Sequence, residues 1–320
     1  FYKLSRQKSG MTMARIYAIG GGKGGSGKTF LVANLGALSA RQGHNTVLVD
    51  LDLGGSNLHS LMGFRQVEKG LNSYLNRTVN DLSEAAVPTE IPNLHIISSM
   101  DCSLEIGNLF YAQKMKIINA IRRLPFDTVF IDLGAGSTYN VLDFFLSAHE
   151  GIFIFTPEPT SIQNTVQFIK AVYLRRVKQI LKQYDFSNVV KELSQETESG
   201  VVRSPMDVVD RIMTKDPARG AVLERELRKL VFKLVLNQYR KHIDMALGHK
   251  IEKVCNRHFY AGFQFMGNIA YDERVHNSVL AKTVFANKYP YTPTSTDLKQ
   301  AADLMMKKHE KAPSPVGKYG

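Results

Sequence analysis

The chain contains 320 residues, of which 44% are hydrophobic and 22% are charged, an ordinary composition for a globular protein of one large domain or two smaller ones. Its 2 cysteines, Cys102 and Cys255, form no Cys-x-x-Cys pair, which argues against a zinc site or a disulfide framework and favours a reducing, cytoplasmic setting. No apolar run approaches the roughly 20 residues of a membrane-spanning helix, and we expect no signal peptide. The net charge of +12 has two interpretations of about equal weight. One is a polyanionic partner such as DNA or anionic lipid, and the other is a basic surface that is simply solvated.

Apolar segments typical of buried strands alternate with helical patterns along most of the chain. The segment 29–43 predicts a helix with Leu31, Leu35 and Leu38 on one face and Gly43 as its end. Near-continuous runs of Val, Ile, Leu and Phe are typical of strands covered on both faces. The sequence therefore predicts an α/β fold with a doubly wound, mostly parallel sheet. Its strands are expected at residues 14–21, 46–52, 94–99, 128–134, 151–159, 229–238 and 262–270.

One stretch, at about residues 178–228, interrupts this alternation. It is charged and helical in pattern, with helix starts at Pro205 and Pro217. Residues 170–241, which include it, carry 16 Lys and Arg against 9 Asp and Glu. We expect a helical insertion, either a pair of surface helices at one edge of the sheet or a basic lobe that binds a partner.

The domain organisation follows from these patterns. We expect a single domain over residues 14–310, with the helical insertion inside it. Residues 1–13 are expected to be an N-terminal arm or an artificial extension. Residues 311–320 have no apolar face and are expected to be a flexible tail.

The segment GGKGGSGKT, at residues 21–29, lies between the first predicted strand and the first predicted helix. It fits the phosphate-loop pattern G-x-x-x-x-G-K-[ST], counted from Gly22, so the predicted domain is a P-loop NTPase domain. Glycines let backbone N–H groups approach phosphate oxygens, and the following helix presents its N-terminus to them. We expect Lys28 to reach the β- and γ-phosphates and the Thr29 hydroxyl to ligate Mg²⁺. The remaining expected nucleotide contacts are Gly22, Lys23, Gly24, Gly25, Ser26 and Gly27.

Three aspartates follow predicted strands, at the edge where open parallel sheets bind their ligands. Asp50 and Asp52 lie two residues apart and so share one side of the second strand, and Asp132 ends the fourth. Since Mg²⁺ prefers oxygen ligands and keeps several waters, we expect Asp132 in the Mg²⁺ shell and Asp50 in support of the metal's waters. We expect Asp52 to position the water that attacks the γ-phosphate.

Lys23 is a second lysine in a loop where one suffices to hold a nucleotide. The run KGGSGKT has the deviant form of the phosphate loop. Together with VLVDLDLGGSNLHSLMG (residues 47–63) and DTVFIDLGAGS (residues 127–137), it resembles the MinD/ParA family of nucleotide-switched ATPases. The segment FTPEPTSIQNTVQFIKAVY (residues 155–173) is similar to the flagellar-number regulators FleN and FlhG within that family.

The resemblance implies an ATP-dependent homodimer with slow ATP hydrolysis and a protein partner that stimulates it. It also implies that Lys23 crosses the dimer interface to the phosphates of the opposite subunit. There it would neutralise charge developing on the transferred phosphoryl group, so the expected catalytic residues are Lys23, Lys28 and Asp52.

The base-binding end matches the family less closely. Asn237 matches the asparagine that reads adenine, because its amide offers a donor and an acceptor side by side. The alternative is a turn residue after a strand. Asp272 matches the family's loop near the base, although the family usually has proline where this chain has Ala270 or Tyr271.

The C-terminal segment and the basic charge bear on whether the partner is a membrane, DNA or a protein. Residues 294–311 form an amphipathic pattern that we interpret as the last core helix, with Leu298, Ala301, Ala302 and Met305 on its apolar face, so no membrane anchor is evident. One hypothesis is a switch that regulates the position or number of a cellular structure, such as flagella or the division site, through a protein partner. The alternative is a ParA-like ATPase that binds DNA non-specifically and positions cargo. A metabolic ATP-dependent synthetase is a third possibility.

Overall fold

The computed structural model describes residues 14–100, 102, 109–184 and 205–306. The strands are β1 (Arg15–Gly20), β2 (Thr46–Leu51), β3 (Val87–Pro88), β4 (Leu94–Ile97), β5 (Thr128–Leu133), β6 (Glu150–Phe155), β7 (Val231–Tyr239) and β8 (Gly262–Ala270). Within these residues they form one sheet in the order β3-β4-β2-β5-β1-β6-β7-β8. Neighbouring strands run parallel except β3, which is antiparallel to β4.

All seven predicted strands are present, with ends that differ by a few residues from the prediction. The eighth, β3, was not predicted. It has only two residues and ends in Pro88. Proline has no N–H for a strand ladder and is therefore confined to sheet edges such as this one. A pair this short carries no alternation for a sequence pattern to detect.

Helices cover both faces of the sheet. They are α1 (Lys28–Arg41), α2 (Leu58–Leu61), α3 (Leu71–Leu75), α4 (Tyr111–Ile121), α5 (Tyr139–Ser147), α6 (Pro159–Gln183), α7 (Pro205–Lys215), α8 (Pro217–Leu227), α9 (Leu247–His258), α10 (Arg274–Leu280), α11 (Phe285–Lys288) and α12 (Pro293–Met306). A short 3-10 helix spans Leu82–Ala85. The first helix ends as predicted, because Gly43 follows it with a φ of 90° that favours glycine.

The side chains of β1 alternate between two apolar cores. Ile16 and Ala18 belong to the core under α4 to α9, and Tyr17 and Ile19 belong to the core under α1, α11 and α12. The doubly wound, mostly parallel α/β prediction is therefore confirmed.

The last helix packs onto the sheet as predicted, burying its apolar side chains at Leu298, Ala301, Ala302 and Met305. The Tyr17 hydroxyl of β1 donates a hydrogen bond to the Met305 carbonyl at 3.2 Å. Among the described residues, no helix combines the length and the apolar character needed to cross a bilayer.

The predicted insertion divides into three parts. Its first residues are the end of α6, which continues to Gln183 and covers the sheet. Residues 185–204 lie outside the described residues, as do the predicted arm 1–13 and tail 311–320. The remainder forms α7 and α8, whose starts at Pro205 and Pro217 match the prediction. Apolar side chains of these two helices join the core of α6, namely Val209, Ile212, Leu223 and Leu227.

Candidate active site

The loop between β1 and α1 has a tightly constrained backbone. Gly25 and Gly27 have φ angles of 78° and 96°, which L side chains rarely adopt. A Cβ on Gly22 would lie 2.0 Å from the Asn164 carbonyl oxygen, and one on Gly27 would lie 2.2 Å from Asn237 Nδ2. Glycine is therefore required at Gly25 and Gly27 for the backbone conformation, and at Gly22 and Gly27 for close packing. Gly24, also in this loop, is exposed.

Lys28 and Thr29 begin α1, directly behind this loop. Lys28 is buried, with 8% of its surface exposed. Burial lowers the pKa of its ammonium, and the nearby charges of Asp132 and Asp52 oppose that shift. The Thr29 hydroxyl lies within hydrogen-bonding reach of the Asp132 carboxylate. The start of α1 thus brings one cation and one hydroxyl to the carboxylates at the strand ends.

Asp50 and Asp132 are direct neighbours in the register of β2 and β5. Both are fully buried, at 0% and 1% exposed. Burial raises the pKa of Asp132 to about 8, and the adjacent charge of Asp50 adds to the shift. Burial also raises the pKa of Asp50 to about 6, although the Ser56 hydroxyl donates to its Oδ2 at 2.6 Å. The charge of Lys28 opposes the shift at Asp132, but two carboxylates side by side are still destabilising when both are charged.

This arrangement fits Mg²⁺ and phosphate. Within the described residues, Asp132 Oδ1 and the Ser26 hydroxyl are buried and have no hydrogen-bond partner. Mg²⁺ needs few protein ligands, because it keeps several waters and takes oxygens from the phosphates. The same described residues contain no group of three His, Cys, Asp or Glu that could hold a metal alone. Asp132 and Thr29 can supply protein oxygens to Mg²⁺, and Ser26 can donate to a phosphate.

Asp52 lies between two loops rather than inside the sheet. It is partly exposed, and its backbone N–H donates to Asp50 Oδ1 at 3.0 Å. A Cβ on Gly134, in the loop after β5, would lie 2.8 Å from Asp52 Oδ1. The absence of a side chain at Gly134 leaves room for this carboxylate beside the phosphate loop.

Lys23 differs from Lys28 in its surroundings, because it lies exposed at the outer surface of the loop. It is near the start of α6, where its charge helps to lower the pKa of Glu158 after the larger effect of a hydrogen bond from Thr156. Glu158 was not predicted as a site residue. Its position directly before Pro159, where α6 begins, was the available signal.

The predicted base-binding residues lie in two different environments. Asn237 is buried and donates from Nδ2 to the Ser26 carbonyl at 2.9 Å, so its amide supports the phosphate loop. Its neighbour Gln238, which the sequence did not single out, has a φ of 57° and donates to the Gly25 carbonyl at 3.3 Å. The contact of Asn237 with adenine stays a prediction.

Asp272 lies in a cleft of 910 Å³ at the ends of β7 and β8. Its carboxylate is paired with Arg274 at 2.7 Å. Across the same cleft, the Arg240 guanidinium lies 3.9 Å from the centre of the Tyr271 ring. The role of Asp272 near a base also stays a prediction.

Residues 17–284 match the family described as CbiA, the CobQ/CobB/MinD/ParA nucleotide binding domain. The chain belongs to this family. It is 28% identical over 220 residues to a putative septum site-determining protein MinD of Nephroselmis olivacea, covering 66% of this chain and 74% of that one. It is also 28% identical over 173 residues to the antiactivator FleN of Pseudomonas aeruginosa, covering 52% of this chain and 59% of that one.

The fold agrees with a solved structure of MinD from Pyrococcus horikoshii OT3 complexed with Mg-ADP. The two superpose with a TM-score of 0.61 at 18% identity, over 92% of this chain and 97% of that one. This MinD/ParA family member is an ATPase that uses ATP and Mg²⁺. That activity agrees with the unpartnered oxygens that Asp132 and Ser26 hold beside the phosphate loop.

Proposed function

We propose that the chain is an ATP-dependent dimerisation switch, in which each subunit supplies Lys23 to the nucleotide of the other. The observation that carries this proposal is the contrast between the two lysines of one loop. Lys28 is buried beside Asp132 and Asp52, whereas Lys23 is exposed. Because Lys28 already serves the nucleotide of its own subunit, an exposed cation at the rim of the loop is suited to reach another.

The proposed cycle uses the residues at the strand ends. Mg²⁺, when bound, draws charge from the phosphates and neutralises the carboxylates. Asp132 and Thr29 would hold it, and Asp50 would orient its waters. Asp52 positions the attacking water, and Lys28 holds the β- and γ-phosphates. Hydrolysis removes the γ-phosphate that Lys23 of the opposite subunit contacts, so it ends the dimer.

We further propose that the ATP-bound dimer engages a protein partner and thereby regulates the position or number of a cellular structure, such as flagella or the division site. The names of two relatives support this level of function, a septum site-determining protein and an antiactivator. Both names describe regulation of a cellular process rather than turnover of a metabolite.

Dimerisation can be tested by light scattering of the Asp52→Ala variant with Mg-ATP. This variant should bind ATP normally and hydrolyse it at least about 100-fold more slowly, which would trap the dimer. Adding Lys23→Ala should return the protein to monomer without loss of ATP binding. Lys253→Ala, at an exposed position on α9, is the control and should leave the dimer intact. A monomer at saturating ATP in the Asp52→Ala variant would refute the switch, and normal turnover by that variant would refute the role of Asp52.

The net charge of +12 favours the second candidate, a ParA-like ATPase that binds DNA non-specifically. DNA binding would weaken steeply with salt, at a slope set by the number of neutralised phosphates. A gel shift across salt concentrations, with and without ATP, separates the two functions. Retention of DNA only with ATP would favour the DNA-bound ATPase, and no retention in either state would favour the protein-directed switch.

A further inference from the structure

A second cleft, of 630 Å³, lies between α4, α5 and the C-terminal half of α6. We call it the basic cleft. Its floor has three apolar side chains, Met115, Ile118 and Leu146. Its charged side chains are Arg122, Asp143, Arg175, Arg176, Lys178 and Lys182. The cleft is thus cationic around an apolar floor, and its residues are separate from the strand-end carboxylates and the phosphate loop.

The one carboxylate that lines the cleft is already used by the protein. Asp143 accepts two hydrogen bonds from Arg175, at 2.7 and 2.8 Å, and another from Gln179 at 3.0 Å. It also pairs with Lys114. Since Asp143 is buried and holds four donors, it cannot neutralise the remaining cations of the cleft.

Four cations of the cleft have no ion pair with any carboxylate in the described part of the chain: Arg122, Arg176, Lys178 and Lys182. Arg176 is the most constrained of them. Its Nε is buried and has no acceptor, and burial lowers the pKa of its guanidinium. Its Nη1 donates to Gln179 Oε1 at 3.4 Å, and the charge of Glu226 opposes the pKa shift without forming an ion pair. The α6 helix itself supplies no carboxylate to neutralise these cations, because its 25 residues include no Asp or Glu.

Exposed aromatic rings stand beside these cations. Tyr111, at the start of α4, lines the cleft and is 70% exposed, and its neighbour Phe110 is 78% exposed. Tyr139, at the start of α5, is 65% exposed and lies under the Arg175 guanidinium at 4.8 Å. Large rings that lose little conformational freedom on binding are typical anchors of protein interfaces.

We propose that the basic cleft docks an acidic amphipathic segment of a partner protein. Its carboxylates would meet Arg122, Arg176, Lys178 and Lys182, while its apolar side chains cover Met115, Ile118 and Leu146. The apolar floor favours a polypeptide over a nucleic acid, whose phosphate backbone brings no aliphatic group to cover it. The inference deepens the proposed function, because it names the chemistry of the partner, but it does not depend on ATP-driven dimerisation.

The test is fluorescence anisotropy with the full chain, in the absence of nucleotide. The probe is a labelled helical peptide of about 18 residues with Leu on one face and Glu on the other, and the comparison peptide has Gln in place of Glu. We expect the Glu peptide to bind at least about tenfold more tightly than the Gln peptide. The Lys178→Glu/Lys182→Glu variant should lose at least about tenfold in affinity, and Arg122→Glu alone should lose less.

The matched control is Lys253→Glu/Arg257→Glu, which makes the same charge change at exposed positions of α9 and should alter the affinity by less than about twofold. Equal losses in both double variants would mean a general charge effect and would overturn the proposal. It would also be overturned if the Glu peptide failed to bind, or if duplex DNA displaced it with higher affinity. Because no nucleotide is present, these failures are distinct from a failure of the switch, which is measured by ATP-dependent light scattering.

Discussion

Asp143 and the pair of Asp50 and Asp132 are all carboxylates removed from water, but their surroundings are opposite. Burial alone would raise the pKa of Asp143, yet hydrogen bonds from Arg175 and Lys114 outweigh it and hold that pKa below its usual value. Asp50 and Asp132 lie beside each other and have raised pKa values. The first carboxylate is satisfied by its protein donors, whereas the charge of Lys28 only partly offsets the raised pKa of Asp132.

This contrast separates a structural role from a functional one. Asp143 joins α4, α5 and α6 with charged hydrogen bonds that exist before any ligand arrives. The strand-end pair is unfavourable in its charged form, and Mg²⁺ bound there would recover that cost to stability. Carboxylates with raised pKa values and an oxygen that lacks a hydrogen-bond partner therefore indicate the site more clearly than burial alone does.

Replacing Asp143 should have the largest effect on stability. Asp143→Ala leaves Lys114 and Arg175 without their shared partner and should destabilise the protein by about 3 kcal/mol, the lower end for a broken buried pair because Arg175 is 25% exposed. Urea denaturation measures this change. ATP affinity should stay within about twofold of the wild type under native conditions. A stable Asp143→Ala variant would contradict the structural role.

Replacing Lys28 should have the largest effect on the nucleotide. Lys28→Ala removes a charged donor from the phosphates and should weaken ATP binding by about 100-fold, as expected for lost charge-assisted hydrogen bonds. Isothermal titration calorimetry with Mg-ATP measures the affinity. Lys23→Ala is the matched control in the same loop and should change the affinity of the monomer by less than about threefold. Equal losses for both lysines would remove the distinction between them.

The two carboxylate environments should also differ in the sign of their pH dependence. Because the folded pKa of Asp132 is raised to about 8, its contribution to stability is present at low pH and is lost as the pH rises from about 4 through 8. Asp143, whose folded pKa is lowered, contributes stability above the ordinary carboxyl range and loses it as the pH falls through the lowered value.

Denaturation in EDTA without nucleotide, measured from pH 4 to pH 8.5, checks this difference. The Asp132→Asn variant should have a flatter profile than the wild type and should be at least as stable at the upper end. In the wild type, Mg-ADP should restore stability most at high pH. A wild-type profile that rises across the whole range would contradict the charge assignment of the pair.

Replacing Asn237 should have the smallest effect. Asn237→Ala removes its hydrogen bond to the Ser26 carbonyl and should cost about 1 kcal/mol of stability, with a loss in ATP affinity below about tenfold. Comparing ATP with GTP in the same titrations tests the predicted contact with adenine. An equal loss for both nucleotides would indicate support of the loop without recognition of the base.

The sequence predicted that the aspartates at the strand ends lie together, because the information for that placement is local. The phosphate loop is contiguous, and each aspartate directly follows an apolar strand. Parallel strands bring their carboxyl ends together whatever lies between them in sequence, so Asp50 and Asp132 could be expected to meet. The pairing register of β2 and β5 puts them directly opposite each other.

The sequence could not reveal the clusters whose members come from separate helices. Asp143, Lys114 and Arg175 are about 30 residues apart in sequence and belong to three helices. No spacing rule relates charges across helices, and each alone is typical of a solvated helix face. The support of the phosphate loop by Asn237 was also not predicted, because this residue of β7 and Ser26 are 211 positions apart in sequence, and the alternative of a turn after the strand was wrong.

The close approach of Gly22 to the Asn164 carbonyl has a mechanical consequence. Asn164 lies near the start of α6, a helix of 25 residues and therefore about 37 Å long. With no side chain between them, the loop packs directly against α6, and the C-terminal half of this helix forms one wall of the basic cleft. A partner docked against the C-terminal half of α6 would therefore touch the same helix that packs against the phosphate loop.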